Sequence, residues 1–451
     1  MRQVRSEAVL GVDADDVGDA RLVSRTVEVP DVSFRAFLAG RDAPRVLWAA
    51  PDGLEIVGGG AAARLEADGR DRFDRLRAGA AAAFARIDHE GPPATRPRFL
   101  GGLSYDPDHE GRPPWDEFPG ACFVLPRVQL TRAEEATWLT VRAYGPDATP
   151  ADVDDLLAAE REALGDLPAM RPSGGGPGVT ATRRTTSKEE WIRQVGAAID
   201  RIREGDLRKV VLATSLEADL TTEVDVPDLL ERLRRTYPGC YRFLVQPGDG
   251  AGFFGPPPER LVRLDDRRVR TEALAGSMPR GDTPDEDADY ANALLDSEKL
   301  QHEQRLVVDA ITDQLAPLGS VWEGEQGVRK LSNIQHLQTS IEAELAQPGH
   351  VLDIVEALHP TPAVGGLPLD AALETIRETE TFARGWYAAP VGWFDAAGDG
   401  EFAVAIRSAL AGGRTATLFA GNGIVGDSDP DDEWDELAPK FRPVLDELER
   451  A

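Results

Sequence analysis

A short stretch after residue 170 divides the chain and constrains every assignment of its fold. Its residues, Arg-Pro-Ser-Gly-Gly-Gly-Pro at 171–177, combine two prolines with three consecutive glycines. Proline removes a backbone donor and glycine is conformationally permissive, so such a composition is unsuited to the interior of a helix or strand. We therefore predict an N-terminal region at 1–170 that contributes strands and helices to the same fold, a linker or exposed loop at 171–186, and a main region at 187–451.

Length, charge and cysteine content exclude several classes of protein. A chain of 451 residues can bury a large core, and its formal net charge of −29 would repel nucleic acid and anionic membranes. We find no signal segment and no uncharged apolar run of about 18 residues, as a membrane span would need. The two cysteines, Cys122 and Cys240, are too few for a disulfide framework or a cysteine-based zinc site. We expect a cytoplasmic protein with no nucleic-acid or membrane partner.

Lysine is rare in this chain. Scarce lysine together with 79 acidic residues is typical of proteins from salt-loving organisms, so we expect a halophilic protein. Arginine stays protonated, whereas a lysine can be tuned to lose its proton. Each retained lysine is therefore either a solvated surface residue or a candidate for chemistry. The lysines are Lys188, Lys209, Lys299, Lys330 and Lys440.

Local patterns place several candidate residues on regular elements. The capping box at 187–190 predicts the start of a helix, and the apolar run at 208–213 predicts a strand with Lys209 near its start. Helical periodicity over 287–315 predicts one helix with Glu303 in its apolar stripe. A carboxylate there is costly unless it is paired, binds a metal or lies at the stripe edge and reaches water.

A last helix is predicted near the C-terminus. Glu436 and Lys440 stand one turn apart on its polar side, as expected for a salt bridge or for a shared place in a site. These two explanations are compatible. Pro439 interrupts the pattern and predicts that this helix starts late or kinks.

The main region also contains a series of short motifs in a fixed order. They are Lys-Val-Val-Leu-Ala at 209–213, Pro-Glu-Arg-Leu at 258–261, Thr-Glu-Ala-Leu-Ala-Gly-Ser at 271–277, Ser-Glu-Lys-Leu-Gln-His-Glu at 297–303, Gln-His-Leu at 335–337, Leu-His-Pro-Thr-Pro-Ala-Val-Gly-Gly at 358–366, Pro-Val-Gly-Trp at 390–393, Gly-Glu-Phe-Ala-Val-Ala-Ile-Arg-Ser at 400–408, Ala-Gly-Asn-Gly-Ile-Val at 420–425, and Glu-Trp-Asp-Glu at 433–436 with Lys440. Over residues 187–447 this ordered set resembles the chorismate-binding enzymes, which include isochorismate, salicylate, anthranilate and aminodeoxychorismate synthases.

The resemblance implies a fold and a reaction. The fold would be α+β (α/β/α layered), with two large antiparallel β-sheets packed face to face and flanked by helices, as in anthranilate synthase component I. The substrate would be chorismate, and 187–451 would be the catalytic region. Addition of water at ring carbon C2 with loss of the C4 hydroxyl requires a base and an acid. By similarity Lys209 is the base and Glu259 is the acid, which needs a partly neutral lysine and a protonated glutamate.

The resemblance also assigns metal ligands and substrate contacts. Glu303 and Glu436 match the ligands of a Mg²⁺ cofactor, which prefers oxygen donors and few protein ligands. Arg407 matches the arginine that binds a substrate carboxylate through a planar fork. The remaining residues assigned by similarity are His336 as a catalytic residue, His359 with a further site role, and Gly276, Ala363, Tyr387, Gly421 and Lys440 as substrate contacts.

Individual positions separate the branches of the family. Lys209 stands where the ammonia-using synthases carry glutamine, and Ala275 stands where aminodeoxychorismate synthases commonly place a nucleophilic lysine. Ala363 replaces the usual threonine of salicylate synthases. The resemblance thus implies an isochorismate synthase, an isomerase, with salicylate synthase as the main alternative and an anthranilate or aminodeoxychorismate synthase as a lesser one. Its product would feed menaquinone or siderophore biosynthesis, and we expect a monomer without an amidotransferase subunit.

Overall fold

The computed structural model describes residues 8–10, 20–167, 174–331 and 334–450. The described helices are α1 Phe34–Ala39, α2 Arg72–Phe84, α3 Pro150–Gly165, α4 Lys188–Glu204, α5 Val226–Thr236, α6 Pro284–Asp296, α7 Glu298–Leu315, α8 Val351–Leu358, α9 Leu369–Thr379 and α10 Pro430–Glu449. The described strands are β1 Ala8–Leu10, β2 Arg21–Val29, β3 Arg45–Ala49, β4 Glu55–Ala67, β5 Ile87–Glu90, β6 Arg98–Leu103, β7 Ala121–Ala133, β8 Ala136–Gly145, β9 Val179–Arg184, β10 Lys209–Leu220, β11 Arg242–Gln246, β12 Gly252–Gly255, β13 Arg260–Asp265, β14 Arg268–Pro279, β15 Gly319–Lys330, β16 Ile334–Leu345, β17 Gly366–Leu367, β18 Pro390–Asp395, β19 Gly400–Val404, β20 Ala409–Gly412 and β21 Thr415–Ile424.

The strands form one hydrogen-bonded network that is almost entirely antiparallel. Its main path runs β9-β10-β21-β20-β12-β11-β3-β4-β7-β6-β18-β19-β13-β14-β16-β15. The predicted α+β class, with antiparallel strands flanked by helices, is confirmed. The two predicted sheets are joined into one hydrogen-bonded sheet, because strand pairing continues through β4, β7 and β6.

Strands of the N-terminal region pair directly with strands of the main region. β3 pairs with β11, and the glycine-containing β6 pairs with β18. The predicted linker at 171–186 is wrong in part, because Val179–Arg184 forms β9 on the edge of β10. The neighbouring residues 174–178 carry no regular structure, and the first part of the linker, 171–173, lies outside the described residues.

Capping residues mark where helices α4, α6 and α7 begin or end. Ser187 accepts a hydrogen bond from the Glu190 amide and starts α4, as predicted. The single helix predicted over 287–315 is instead two helices, because Ser297 ends α6 in an extended conformation and caps α7 by accepting from the Leu300 amide. Ser297 thereby sets where α7, the helix that carries Glu303, begins.

The last helix starts earlier than predicted. α10 begins at Pro430 after Asp429, whose side chain accepts hydrogen bonds from the first-turn amides, and it continues through Pro439 and Pro443. Each internal proline removes a backbone donor, but burial of Phe441 and its apolar neighbours on the same face stabilises the helix through packing. None of the described helices combines the length and hydrophobicity needed to cross a bilayer.

Candidate active site

One cavity collects all the predicted site residues except Glu436 and His359. Its walls come from β10, β14, α7, β16, β21, α10 and four connecting segments. The predicted residues that line it are Lys209, Glu259, Gly276, Glu303, His336, Ala363, Tyr387, Arg407, Gly421 and Lys440. These residues span more than half of the chain, so the fold rather than local sequence brings them together.

Lys209 and Glu303 meet inside this cavity. The Lys209 Nζ lies 2.8 Å from Glu303 Oε1, and the two side chains are 4% and 20% exposed. Glu303 therefore does not depend on water, as an edge position of the α7 stripe would; its carboxylate is paired, which offsets the cost of burial. Gly423 makes room for this contact, because a Cβ there would lie 2.8 Å from Lys209 Cε. Burial acts to raise the pKa of Glu303, but the charge and hydrogen bond of Lys209, together with the charges of Lys299 and Lys440, outweigh it, so that the pKa is lowered.

Glu259 is buried at the entry to β13, directly after three prolines. Burial and the neighbouring carboxylate of Glu272 raise its pKa to about 8, against the opposing effects of Arg329 and Lys209. Glu272 itself accepts a hydrogen bond from the Arg260 amide at 3.0 Å and pairs with Arg329 at 2.6 Å. A carboxyl in this setting is protonated at neutral pH and can donate a proton.

His336 lies on β16 beside Gly276 of β14, where the register between the two strands is irregular. Its Nδ1 is 3.0 Å from the Gly276 carbonyl oxygen. Burial, followed by nearby positive charges, lowers the pKa of His336 to about 4, so the ring is neutral at pH 7 and its Nδ1–H donates to that carbonyl. Gly276 has a φ of 61°, a left-handed conformation that favours glycine, and this directs its carbonyl toward the histidine.

His359 does not line this cavity, so the structure does not bring it together with the other predicted site residues. Its Nε2 lies 3.1 Å from the Tyr105 carbonyl oxygen, and its ring packs edge-on against the Tyr105 ring at 5.5 Å. Burial lowers the pKa of His359 to about 3, so this is a neutral structural histidine.

Lys440 reaches the cavity from α10. Its Nζ donates to the Gly421 carbonyl oxygen at 3.0 Å and to Asn422, and it lies 4.0 Å from the carboxylate of Glu436. Burial and then Arg407 lower the pKa of Lys440 to about 8, while the carboxylates of Glu436, Glu433 and Glu303 oppose this shift. Glu436 is 60% exposed and is not among the lining residues, so it borders the cavity through Lys440.

Arg407 and Tyr387 form another part of the wall. Arg407 has a φ of 56°, which is costly for a residue other than glycine and must be compensated by its surroundings. Burial lowers its pKa, although a guanidinium remains charged in proteins. The Tyr387 ring stacks on Phe419 at 5.3 Å, and burial raises the pKa of Tyr387 to about 12. This wall thus offers a buried cation and a neutral hydroxyl, a set that suits a carboxylate ligand.

Comparison with known proteins identifies the family. The family model described as "Chorismate binding enzyme" matches residues 7–449. The chain belongs to this family. The predicted resemblance to the family is therefore confirmed, and similarity to isochorismate synthases confirms the predicted branch.

Similar proteins of this family cover nearly the whole chain. A salicylate biosynthesis isochorismate synthase from Pseudomonas aeruginosa is 38% identical over 90% of this chain and 85% of its own length. The isochorismate synthase MenF of Bacillus subtilis is 34% identical over 96% of this chain and 95% of its own length. The solved structure of the menaquinone-specific isochorismate synthase from Escherichia coli superposes with a TM-score of 0.79 at 27% identity, covering 95% of this chain and 94% of that one.

Several residues that line this cavity were not predicted. Gly423 lies two residues after Gly421 on β21, and the alternation of side chains along a strand was a usable signal for it. Phe419 and Arg384 also line the cavity. Phe419 sits in the same alternating series, whereas Arg384 gave no signal of its own beyond an arginine near Tyr387.

Proposed function

We propose that this chain converts chorismate to isochorismate, with water entering at ring carbon C2 and the C4 hydroxyl leaving. The observation that carries the proposal is that Lys209 on β10 and a protonated Glu259 in the segment before β13 line the same cavity. An amine and a carboxylic acid that border one substrate can serve as base and acid in a single reaction. The similarity to isochorismate synthases over nearly the full chain supports this choice of reaction.

The contacts of each residue support a distinct role in this reaction. Glu259 holds a proton near neutral pH and delivers it to the leaving C4 hydroxyl. Lys209 withdraws a proton from the attacking water as a neutral amine, which requires that its ammonium first separates from Glu303 and releases its own proton to solvent. Arg407 and Tyr387 orient a substrate carboxylate. His336, held as a neutral ring by Gly276, completes the wall on the β16 side.

The donor set near Lys440 fits magnesium. Among the described residues no group of three or more His, Cys, Asp or Glu side chains could enclose a metal. Magnesium is commonly held by one or two carboxylates, with waters and substrate oxygens completing its shell. Glu303 and Glu436 provide two such carboxylates and both act on the Lys440 ammonium. We propose that they hold Mg²⁺, which when bound would neutralise and fix the ring carboxylate of chorismate.

Product analysis after incubation with chorismate and Mg²⁺ tests the proposed reaction. We expect isochorismate as the product, and we expect Lys209→Ala to lose activity by at least about 100-fold, the lower range for a positioned acid or base. Lys188→Ala is the matched control, because the Lys188 side chain is 42% exposed, pairs with Asp431 and does not line the cavity. Salicylate with pyruvate, or an aminated product formed with ammonia, would reassign the chain to another branch. A fully active Lys209→Ala variant would refute the mechanism.

A further inference from the structure

Arg384 and Glu380 form an ion pair buried in the wall of the cavity. Their side chains are 5% and 4% exposed, and the Arg384 Nε donates to Glu380 Oε2 at 2.8 Å. Removing two charges from water is unfavourable unless good geometry and further hydrogen bonds compensate for it. The other hydrogen bonds of this pair therefore identify the segments that the pair holds in place.

Those remaining bonds go to the backbone of segments that carry the site. Arg384 Nη2 donates to the Val211 carbonyl oxygen at 2.7 Å, and Nη1 donates to the Val364 carbonyl oxygen at 3.0 Å. Glu380 accepts the Ala213 amide at 2.8 Å. Val211 is two residues from Lys209 on β10, and Val364 follows Ala363, so the pair joins the strand of the lysine to the loop of the alanine.

The same arginine is linked to two tyrosines. Its guanidinium lies 4.3 Å from the centre of the Tyr105 ring, and the Tyr105 hydroxyl donates to the Val364 carbonyl at 3.1 Å. The Tyr387 amide donates to the Arg384 carbonyl at 2.9 Å, in a turn that leads Tyr387 into the cavity. Fixing Arg384 thus also fixes the start of the segment that carries Tyr387.

We propose that Arg384, held by Glu380, is a positioning residue that aligns Lys209, the Ala363 loop and Tyr387 around the substrate. Its Nε and both terminal nitrogens are already bonded to protein groups, so it acts through the cavity wall and not as a substrate ligand. A planar fork is required, because one side chain must donate in three directions at once. The kinetic expectation rests on the proposed function.

Arg384→Lys is the variant that separates alignment from simple stability. Lysine keeps the charge beside Glu380 but cannot donate to both carbonyls as a planar fork. We expect kcat per folded molecule to fall by about 100-fold, the order of loss caused by misplacing a catalytic group by about 1 Å, with KM changing much less. Arg232→Lys is the control: Arg232 pairs with Asp228 at the same i,i+4 spacing, with side chains 8% and 6% exposed, and does not line the cavity. We expect it to keep wild-type kcat.

Backbone hydrogen exchange is a second test of the positioning role, and it does not depend on enzyme activity. In Arg384→Met/Glu380→Met both charges are removed together, so the fold is retained, but the Ala213 amide loses its acceptor. We expect faster exchange in the segment 209–214 than in the wild type, and unchanged exchange in that segment in Arg232→Met/Asp228→Met. Wild-type kcat in Arg384→Lys, equal losses in Arg232→Lys, or unchanged exchange in 209–214 would each overturn the proposal. Absence of isochorismate from the wild-type reaction would refute the proposed function and leave the exchange comparison to decide the positioning role.

Discussion

Lys209 on β10 and Glu303 on α7 form a 2.8 Å ion pair inside the cavity. The two residues are 94 positions apart and belong to different elements, yet each has a separate assignment: one as base and the other as metal ligand. A cation held by Glu303 would compete with the Lys209 ammonium for the same carboxylate. With Mg²⁺ on Glu303, as proposed, the pair would couple metal binding to the availability of the lysine.

Magnesium should stabilise the folded chain through Glu303. A ligand that binds only the folded state at about 100 times its Kd adds about 2.7 kcal/mol to the free energy of unfolding. We expect Mg²⁺ to raise the unfolding temperature of the wild type, and EDTA to reverse the effect. Glu303→Gln should lose the response, whereas Glu298→Gln, in the first turn of the same helix, should keep it. An equal Mg²⁺ response in Glu303→Gln would exclude this carboxylate as a ligand.

The pH dependence of activity should report the proton on Glu259. Its pKa is raised to about 8, so the acid form is present at neutral pH and is lost as the pH rises through about 8. The kcat/KM should accordingly fall on the alkaline side. Replacing Glu272 by Gln removes the neighbouring negative charge that raises this pKa, so the alkaline limb should move to lower pH.

The same variant decides which group causes the alkaline limb. Lys440 also has a pKa of about 8, but its carboxylate neighbours are Glu436, Glu433 and Glu303. A limb that does not move in Glu272→Gln would therefore assign the titration to another group, and Lys440 would be the first candidate.

Local patterns in the sequence predicted individual helices and strands. They could not predict contacts between residues that are far apart in the chain. The strand of Lys209 was predicted because its apolar run is contiguous. The break at Ser297 was missed because the helical stripe continues on both sides of it. Arg384 was missed because its partner carbonyl at Val211 lies 173 positions away. His359 was assigned to the site because its motif is adjacent to Ala363, although its ring faces Tyr105. Monomeric state stays a prediction.

Salt should stabilise this chain. A formal net charge of −29 destabilises the compact state through self-repulsion, and salt screens it. Raising NaCl from about 0.1 M to about 1 M shortens the screening length from about 10 Å to about 3 Å. We expect the unfolding temperature, measured by circular dichroism without Mg²⁺, to rise over this range. A fall would show that the many surface ion pairs outweigh the net repulsion and would contradict a halophilic assignment.

Gly423→Ala should impair catalysis by displacing Lys209. A Cβ at this position would lie 2.8 Å from Lys209 Cε, inside the cavity where the lysine meets Glu303. Overpacking of a buried site costs about 1–3 kcal/mol, and misplacement of a reacting group by about 1 Å costs about 100-fold in rate. Gly196→Ala in α4 is the matched control, because its Cβ would meet nothing within 4 Å and alanine should stabilise the helix by about 0.5–1 kcal/mol. Thermal unfolding should therefore show lower stability for Gly423→Ala and higher stability for Gly196→Ala. Steady-state kinetics should show a loss of kcat only for Gly423→Ala. Wild-type kcat in Gly423→Ala would show that the position of the lysine side chain tolerates the added methyl group.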